Sequence, residues 1–483
     1  MYVSNLSERG RISSMRRNST PLSMGRVSIR DQVQSGLRAW PIWPVVAISG
    51  ALTVGMIAIA TQFRPIADDY IHIGRVMQMG ILPSTIDWFL TFLPGFFGVL
   101  LISLFTGLYG SVPDSLAYVP YTMFLVGILY FVGLTALFPF TQSLRVSTPW
   151  LLAVAFPSLW LLSMGNLFPE YDIINTFGMM SWISNGYRAH LPLLILVFFF
   201  WMNWWRGSNL IGFLVGLFGM VFLTLNFLNA LPDIAAYFAL ALGTAGYYAW
   251  HRMRQRGSSK SPVIFANLGM AAGSLAGLAI LLLSPGTTSR TDEIPVQFSL
   301  ESAIQIIPYQ TIVFLREMMN VSHAIVFGAA ITMGIIVSQL RGGPIQRIGL
   351  SHLKAMSTQA IVLTFLLIGT GVIGETLTYA AIFHRWVVLQ IEFVAIVLVG
   401  LWIGALIALQ TPKLSTQRWP YAMMVGALLT ALVPLVNVAN FAAERKRAWE
   451  SGQPAPVSYM VDREQLMLRD WWNVIEEQRA AGR

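Results

Sequence analysis

The chain contains no cysteine, which excludes disulfides, a thiolate nucleophile and cysteine-ligated metal sites. Charged residues are also scarce: they make up 11% of the 483 residues, whereas 55% are hydrophobic. A soluble globule could not hide this much apolar side chain in one core. The sequence therefore predicts an all-α polytopic membrane protein, because helices satisfy their own backbone hydrogen bonds within a bilayer.

Signatures of common cofactor and hydrolase sites are missing as well. The chain has no Walker loop, no His-Glu-x-x-His, no Gly-x-Ser-x-Gly and no dinucleotide fingerprint. Its formal net charge is +9, but Lys and Arg gather in short loops such as residues 251–256, as the positive-inside bias predicts. We therefore expect no nucleic-acid partner, and we expect the chemistry to come from carboxylates and cations beside a bilayer.

Twelve apolar stretches approach the length of about 20 residues that a membrane helix needs. Placing the basic loops 251–260, 341–354 and 411–418 and the Arg-rich amino terminus in the cytoplasm leaves the carboxyl terminus outside. The number of crossings is then odd, so we predict about eleven (10–12). The stretches lie at 41–62, 88–109, 115–139, 147–164, 189–204, 209–229, 232–250, 264–284, 322–340, 358–377, 386–409 and 420–440.

One stretch therefore does not cross. We expect residues 88–112, which Pro94-Gly95 and Gly107 interrupt, to be interfacial or re-entrant; the short stretch 147–164 is the alternative exception. Residues 71–87 are too polar to cross but carry apolar side chains at helical spacing, which predicts a helix on the outer surface.

The chain divides into three parts on this interpretation. Residues 1–40 form a disordered basic cytoplasmic tail, residues 41–440 the transmembrane bundle, and residues 441–483 a small extracytoplasmic segment.

Two adjacent carboxylates, Asp68 and Asp69, are the strongest candidates for chemistry. They belong to an Arg-Pro-Ile-Ala-Asp-Asp-Tyr motif that ends at Tyr70, soon after the first apolar stretch. A carboxylate beside apolar surface suits a general base. Alternatively, one of the pair caps the following helix, an interaction worth about 0.3–1 kcal/mol. Both roles are compatible if the two residues divide them.

Cations at two outer turns suit a phosphate. Arg290 follows a Pro-Gly turn whose backbone N–H groups, together with a guanidinium, can bind an anion. The alternative is an ion pair with Asp292 or Glu293. His384 and Arg385 form a second outer turn, which serves either phosphate binding or anchoring of the helix end.

Aromatic and polar side chains gather in the outer segment 170–190, which includes Asp172, Trp182 and Tyr187. Such groups suit a sugar, but an interfacial aromatic belt has the same composition. Asp233 and Glu375 stand at the outer ends of helices, where a carboxylate either functions in a site or neutralises an Arg.

The acidic motif resembles the first-loop motif of the GT-C membrane glycosyltransferases, and the chain is most similar to a poorly characterised bacterial family of GT-C-like proteins. The similarity extends over about residues 40–450. It rests on the order of Asp68-Asp69-Tyr70, Trp182 with Gly186 and Tyr187, Asp233, Pro285-Gly286 with Arg290, and Arg385.

The resemblance implies a GT-C-like bundle in the bacterial cell (inner) membrane, with surface helices in the first outer loop and an extracytoplasmic active site. It implies an inverting transfer from a polyprenyl-phosphate sugar to a glycan, lipid or protein acceptor, with no required cofactor, although a divalent metal on the acidic pair remains an alternative. Asp68 or Asp69 would be the base; Arg290, Arg385 and His384 would bind the donor phosphate; and Tyr70, Asp172, Trp182, Tyr187 and Asp233 would contact the sugar or acceptor.

Two other functions compete with this one. A transporter or lipid flippase is expected to have paired broken helices and charges near the middle of the bilayer. A glycan polymerase or ligase shares outer arginines but ordinarily has a large late outer loop, whereas the loop at 286–321 is moderate.

Overall fold

Helices account for the secondary structure throughout the parts of the chain that the computed structural model describes. These are residues 42–65, 69–91, 95–141, 148–165, 180–181, 183, 193–195, 197–199, 201–203, 205, 207–227, 231–254, 262–285, 304, 308, 312, 320–339, 385–411, 418–451, 477 and 480. The amino-terminal tail thus lies outside them, and so does the apolar stretch 358–377.

The helices are numbered along the chain. They are α1 Trp43–Ala60, α2 Asp69–Met79, α3 Ile81–Thr91, α4 Phe96–Ser111, α5 Asp114–Ala117, α6 Val119–Thr141, α7 Thr148–Leu152, α8 Phe156–Met164, α9 Asn209–Phe227, α10 Leu231–Arg254, α11 Pro262–Leu282, α12 Val321–Gln339, α13 Arg385–Gln410, α14 Trp419–Thr430 and α15 Leu432–Glu450.

Seven segments of the described chain are long and apolar enough to cross a membrane. The all-α membrane class predicted from composition is therefore confirmed, whereas the count of eleven crossings stays a prediction. The segments are Trp43–Ala60, Asp114–Leu137, Asn209–Asn226, Pro262–Leu282, Val321–Ser338, Glu392–Gln410 and Trp419–Ala448.

Residues 71–87 are not one helix. Gly80 has a φ of 85°, a left-handed conformation that suits glycine, and it separates α2 from α3. Helix α4 then runs back alongside α3. Gly107, near the end of α4, packs against Val76 of α2 and Ile81 at the start of α3, since a Cβ on Gly107 would lie 3.1 Å from both side chains. The α3–α4 hairpin therefore begins and ends at one end of the bundle. Helix α3 has 11 residues, about 16 Å, and is too short to span.

In the other stretch of doubtful crossing, 147–164, the structure describes residues 148–164, which form α7, a 3₁₀ turn at Ala153–Ala155, and α8. Its apolar part, Trp150–Met164, falls among the helices shorter than a span. Every residue of α8 is buried, and Phe156 meets Phe393 of α13 edge-on at 6.3 Å. This segment therefore serves as core for its neighbours.

Glycines bring two pairs of helices into backbone contact. A Cβ on Gly269 of α11 would collide with the Phe213 carbonyl of α9, and one on Gly273 would collide with the Leu217 carbonyl. The contacts advance in the same direction on both helices, so α9 and α11 are parallel. Small residues at such interfaces allow the close packing on which membrane helices depend.

Helices α12 and α13 pack in the same way. A Cβ on Gly400 would lie 2.6 Å from the Ala330 side chain, and one on Gly404 would collide with the Ile331 carbonyl. These helices are also parallel and start at the same end of the bundle. Helix α15 runs unbroken through positions 440 and 441, the predicted boundary between the bundle and the carboxyl-terminal segment.

Candidate active site

Asp69, the first residue of α2, is a fully buried carboxylate with 0% exposure. Its Oδ2 atom accepts a hydrogen bond from the Tyr118 hydroxyl at 3.1 Å and one from the Ile183 backbone N–H at 3.3 Å. A buried carboxylate is tolerated when such donors replace its lost water. Two distant parts of the chain therefore hold Asp69 in one position.

Aromatic side chains surround the Tyr118 donor. Its ring meets Phe63 edge-on at a centroid distance of 6.2 Å and Tyr109 at 5.7 Å. Phe63 follows α1, Tyr109 lies in the last turn of α4, and Tyr118 joins α5 to α6. Tyr121, one turn further on, is also buried and lies within range of the Asp69 charge. The site thus forms where α1 and α4 end and α6 begins.

Tyr70 adds a phenol next to the carboxylate. Burial raises the pKa of Tyr70 well above its usual range; the positive charge of Arg445 opposes this rise, and the negative charge of Asp69 adds to it. The hydroxyl therefore stays protonated at physiological pH and remains available as a donor. Arg445 belongs to α15, so the last described long helix brings a cation to this site.

Arg64 closes the end of α1 immediately before the acidic motif. The residue is 5% exposed, and its Nη1 atom donates to the carbonyls of Thr61 at 3.1 Å and Phe63 at 2.7 Å. A cation there offsets the negative end of the helix dipole and satisfies backbone carbonyls. Its Nε has no hydrogen-bond partner among the described residues. Arg64 fixes the turn from which the chain proceeds to Asp69.

A second polar group connects α2 to α3. Arg75 forms an ion pair with Asp87 at 2.6 Å and lies over the Trp88 ring at 4.5 Å. His72 stacks on the same Trp88 with a centroid distance of 4.5 Å. Because the ion pair is partly exposed, it contributes about 0–1 kcal/mol. Arg75 is thus engaged in the helix pair.

The structure describes only part of the predicted site. Asp69 and Tyr70 lie together in it. Asp233 and Arg385 fall in the first turns of α10 and α13, where the backbone alone is described. The predicted residues outside the described ranges are Asp68, Asp172, Trp182, Tyr187, Arg290 and His384, together with Glu375.

Three contributors to the site were missed in the sequence. Tyr118 and the Ile183 amide carry no local signature, although Ile183 directly follows the predicted Trp182. Arg445 belongs to residues 441–483, which were predicted to form a small extracytoplasmic segment and were given no part in the site. No group of three or more His, Asp or Glu side chains suited to a metal ion occurs within the described residues.

Comparison of the chain with protein-family models, with curated proteins and with solved structures gives no match.

Proposed function

We propose that the protein is a membrane glycosyltransferase that moves a sugar from a polyprenyl-phosphate donor to a glycan, lipid or protein acceptor outside the bacterial cell membrane. One observation carries the proposal: a buried carboxylate, Asp69, is held by the Tyr118 hydroxyl and the Ile183 amide just past the first membrane helix. Ionisable groups placed at such cost near a bilayer are typically functional.

In this reaction Asp69 takes the proton of an acceptor hydroxyl, and the oxygen attacks the anomeric carbon with inversion. The bond from that carbon to the phosphate oxygen breaks, and the polyprenyl phosphate leaves with the electron pair. The bonds to Oδ2 support this role because they orient the carboxylate. Asp68 lies outside the described residues; we assign to it the other role that the sequence allows, capping of the helix that follows. Asp69 is enclosed here, so acceptor entry requires its neighbours to move.

The remaining roles follow the sequence interpretation. Arg290, Arg385 and His384 bind the departing phosphate, where charge develops in the transition state. Tyr70, Asp172, Trp182, Tyr187 and Asp233 contact the sugar or the acceptor. The ion pair with Asp87 supports leaving Arg75 out of the phosphate site.

Transport is the second candidate function, and one observation favours it. His323 of α12 and Glu392 of α13 are each 2% exposed within candidate membrane segments. Ala330 of α12 contacts Gly400 of α13. His323 precedes Ala330 by seven residues, and Glu392 precedes Gly400 by eight. Because the two helices are parallel, His323 and Glu392 lie at similar heights along the bundle. Ionisable groups inside a bundle also occur in proton-coupled transporters.

The paired variants Asp68→Asn and Asp69→Asn test the proposal in a membrane assay of sugar transfer. Asp69→Asn is expected to lower the rate by about 10²–10⁴-fold, the usual contribution of a general base. Asp68→Asn is expected to keep most activity, because Asn caps a helix about as well as Asp. Thermal melts serve as the folding control. Transfer at the parental rate by folded Asp69→Asn protein would make the carboxylate structural and would leave transport as the better account.

A further inference from the structure

The last membrane segment is longer than a bilayer requires. Trp419–Ala448 has 30 residues and includes α14 and most of α15, which meet at Ala431. At 1.5 Å per residue the two helices together extend about 45 Å, whereas the hydrocarbon layer is about 30 Å thick. Its final turns therefore project to the level of lipid headgroups. Helix α15 supplies these turns, and it includes Arg445.

One face of α15 packs into the bundle, and Arg445 lies at the end of that face. Leu435 packs on α1, where its Cδ2 lies 2.9 Å from the position of a Cβ on Gly55. Val438 and Ala442 are buried at 1% and 0% exposure, and Arg445 continues the same stripe one turn later. Its guanidinium lies 4.9 Å from the centroid of the Phe441 ring. The stripe thus carries a cation past the end of α1 towards Asp69 and Tyr70.

The neighbouring cations on α15 face elsewhere. Lys446 pairs with Glu450 at 3.7 Å, and Arg447 is exposed with its Nε directed at the Ala443 carbonyl. Of these three cations, only Arg445 affects Tyr70. Its positive charge lowers the pKa of Tyr70, although burial raises that pKa by more.

We propose that Arg445 and the Tyr70 hydroxyl form a phosphate-binding site beside Asp69, with Tyr70 at the phosphate instead of at the sugar or acceptor, and that the ligand is the phosphate of a polyprenyl-phosphate lipid. A guanidinium offers phosphate two parallel donors, and the Phe441 ring orients it. Its positive charge also offsets the repulsion between the phosphate and the Asp69 carboxylate. The headgroup level suits a ligand whose chain stays in the bilayer. The lipid identity rests on the proposed function; the phosphate site does not.

Binding to the full-length protein in phosphatidylcholine nanodiscs tests this site. The probes are undecaprenyl phosphate, undecaprenol and inorganic phosphate, and the variants are Arg445→Gln, Arg445→Lys and the matched control Arg447→Gln. Loss of a charged hydrogen bond is expected to weaken undecaprenyl phosphate binding about tenfold or more in Arg445→Gln. Arg445→Lys should fall between the two, Arg447→Gln should match the parent, and undecaprenol binding should not depend on Arg445.

The possible outcomes distinguish the phosphate site from the lipid assignment and from the proposed function. Parental affinity for undecaprenyl phosphate in Arg445→Gln overturns the site and leaves the glycosyltransferase proposal standing. Arg445-dependent binding in a protein that uses no polyprenyl-phosphate sugar supports the site and removes the proposed function. Equal affinity for inorganic phosphate makes free phosphate the ligand and overturns the lipid assignment. Failure of the parent to bind either phosphate overturns the inference. If Arg445→Gln unfolds, a folded Arg445→Lys with unchanged affinity overturns it as well.

Discussion

The Asp69 carboxylate depends on donors that are distant in the chain, and Tyr118 is the side chain among them. Its ring packs between Phe63 and Tyr109, and these contacts hold the side chain in the rotamer that directs the hydroxyl to Asp69. A hydrogen bond to a charged group is worth about 1.5–3 kcal/mol, more than a neutral one. This contact therefore both stabilises the fold and orients the proposed base.

Tyr118→Phe separates these contributions because it keeps the ring and removes only the hydroxyl. We expect stability to fall by about 1.5–3 kcal/mol and the transfer rate to fall about tenfold or more, with donor KM unchanged. Thermal melts and steady-state kinetics measure both. Tyr130→Phe is the matched control, since Tyr130 is an exposed tyrosine of α6, the helix that directly follows Tyr118. A Tyr118→Phe enzyme with parental rate and melting temperature would show that the hydroxyl does not support Asp69.

Single residues were partly predictable. Two carboxylates after the first apolar stretch are a local pattern, so Asp69 could be named as a candidate from the sequence, and its catalytic role stays a prediction. Tyr118 and Arg445 were missed because tertiary packing alone brings them to Asp69 and Tyr70. The apolar stripe of α15 that ends in Arg445 was visible in the sequence, but nothing there identified the helix against which it packs.

Individual helices depend on glycine for their contacts. At Gly404 of α13 a Cβ would collide with the Ile331 carbonyl, whereas at Gly426 of α14 nothing lies within 4 Å. The first glycine is thus needed for helix packing, and the second leaves room for a side chain.

Gly404→Ala and Gly426→Ala form a matched pair. We expect Gly404→Ala to destabilise the bundle by about 1–3 kcal/mol, the usual cost of overpacking. Gly426→Ala is expected to be neutral or to stabilise by up to about 1 kcal/mol through helix propensity. Melting temperatures in one detergent provide the comparison. Indistinguishable melts for the two variants would mean that α12 and α13 do not pack as closely as described.

Helix boundaries were harder to predict than helix existence. Apolar spacing over residues 71–87 predicted one helix, but spacing does not reveal the left-handed φ of Gly80 that divides it. The interruption at Pro94-Gly95 led us to predict that residues 88–112 do not cross, and this stays a prediction. How α3 and α4 pair depends on side-chain contacts such as those between Gly107, Val76 and Ile81, which no local pattern specifies.

For the whole molecule, composition was sufficient to predict the class. Few charges and many long apolar stretches leave an all-α membrane bundle as the stable solution. The number of crossings could not be predicted as well, because the apolar character of a short stretch such as 147–164 indicates that it packs as core but not whether it crosses. The proposed glycosyltransferase function depends on bringing separate loops to one end of this bundle, and the Ile183–Asp69 bond is one such connection.

Turnover of the donor by purified protein tests the central claim most directly. The full chain in nanodiscs is incubated with a panel of radiolabelled polyprenyl-phosphate sugars and a membrane extract as the acceptor source. We predict that at least one donor is consumed, with release of polyprenyl phosphate and transfer of label to acceptor, and that Asp69→Asn abolishes both while Arg447→Gln does not. Absence of turnover for every donor, or equal turnover by the parent and by folded Asp69→Asn protein, would contradict the account.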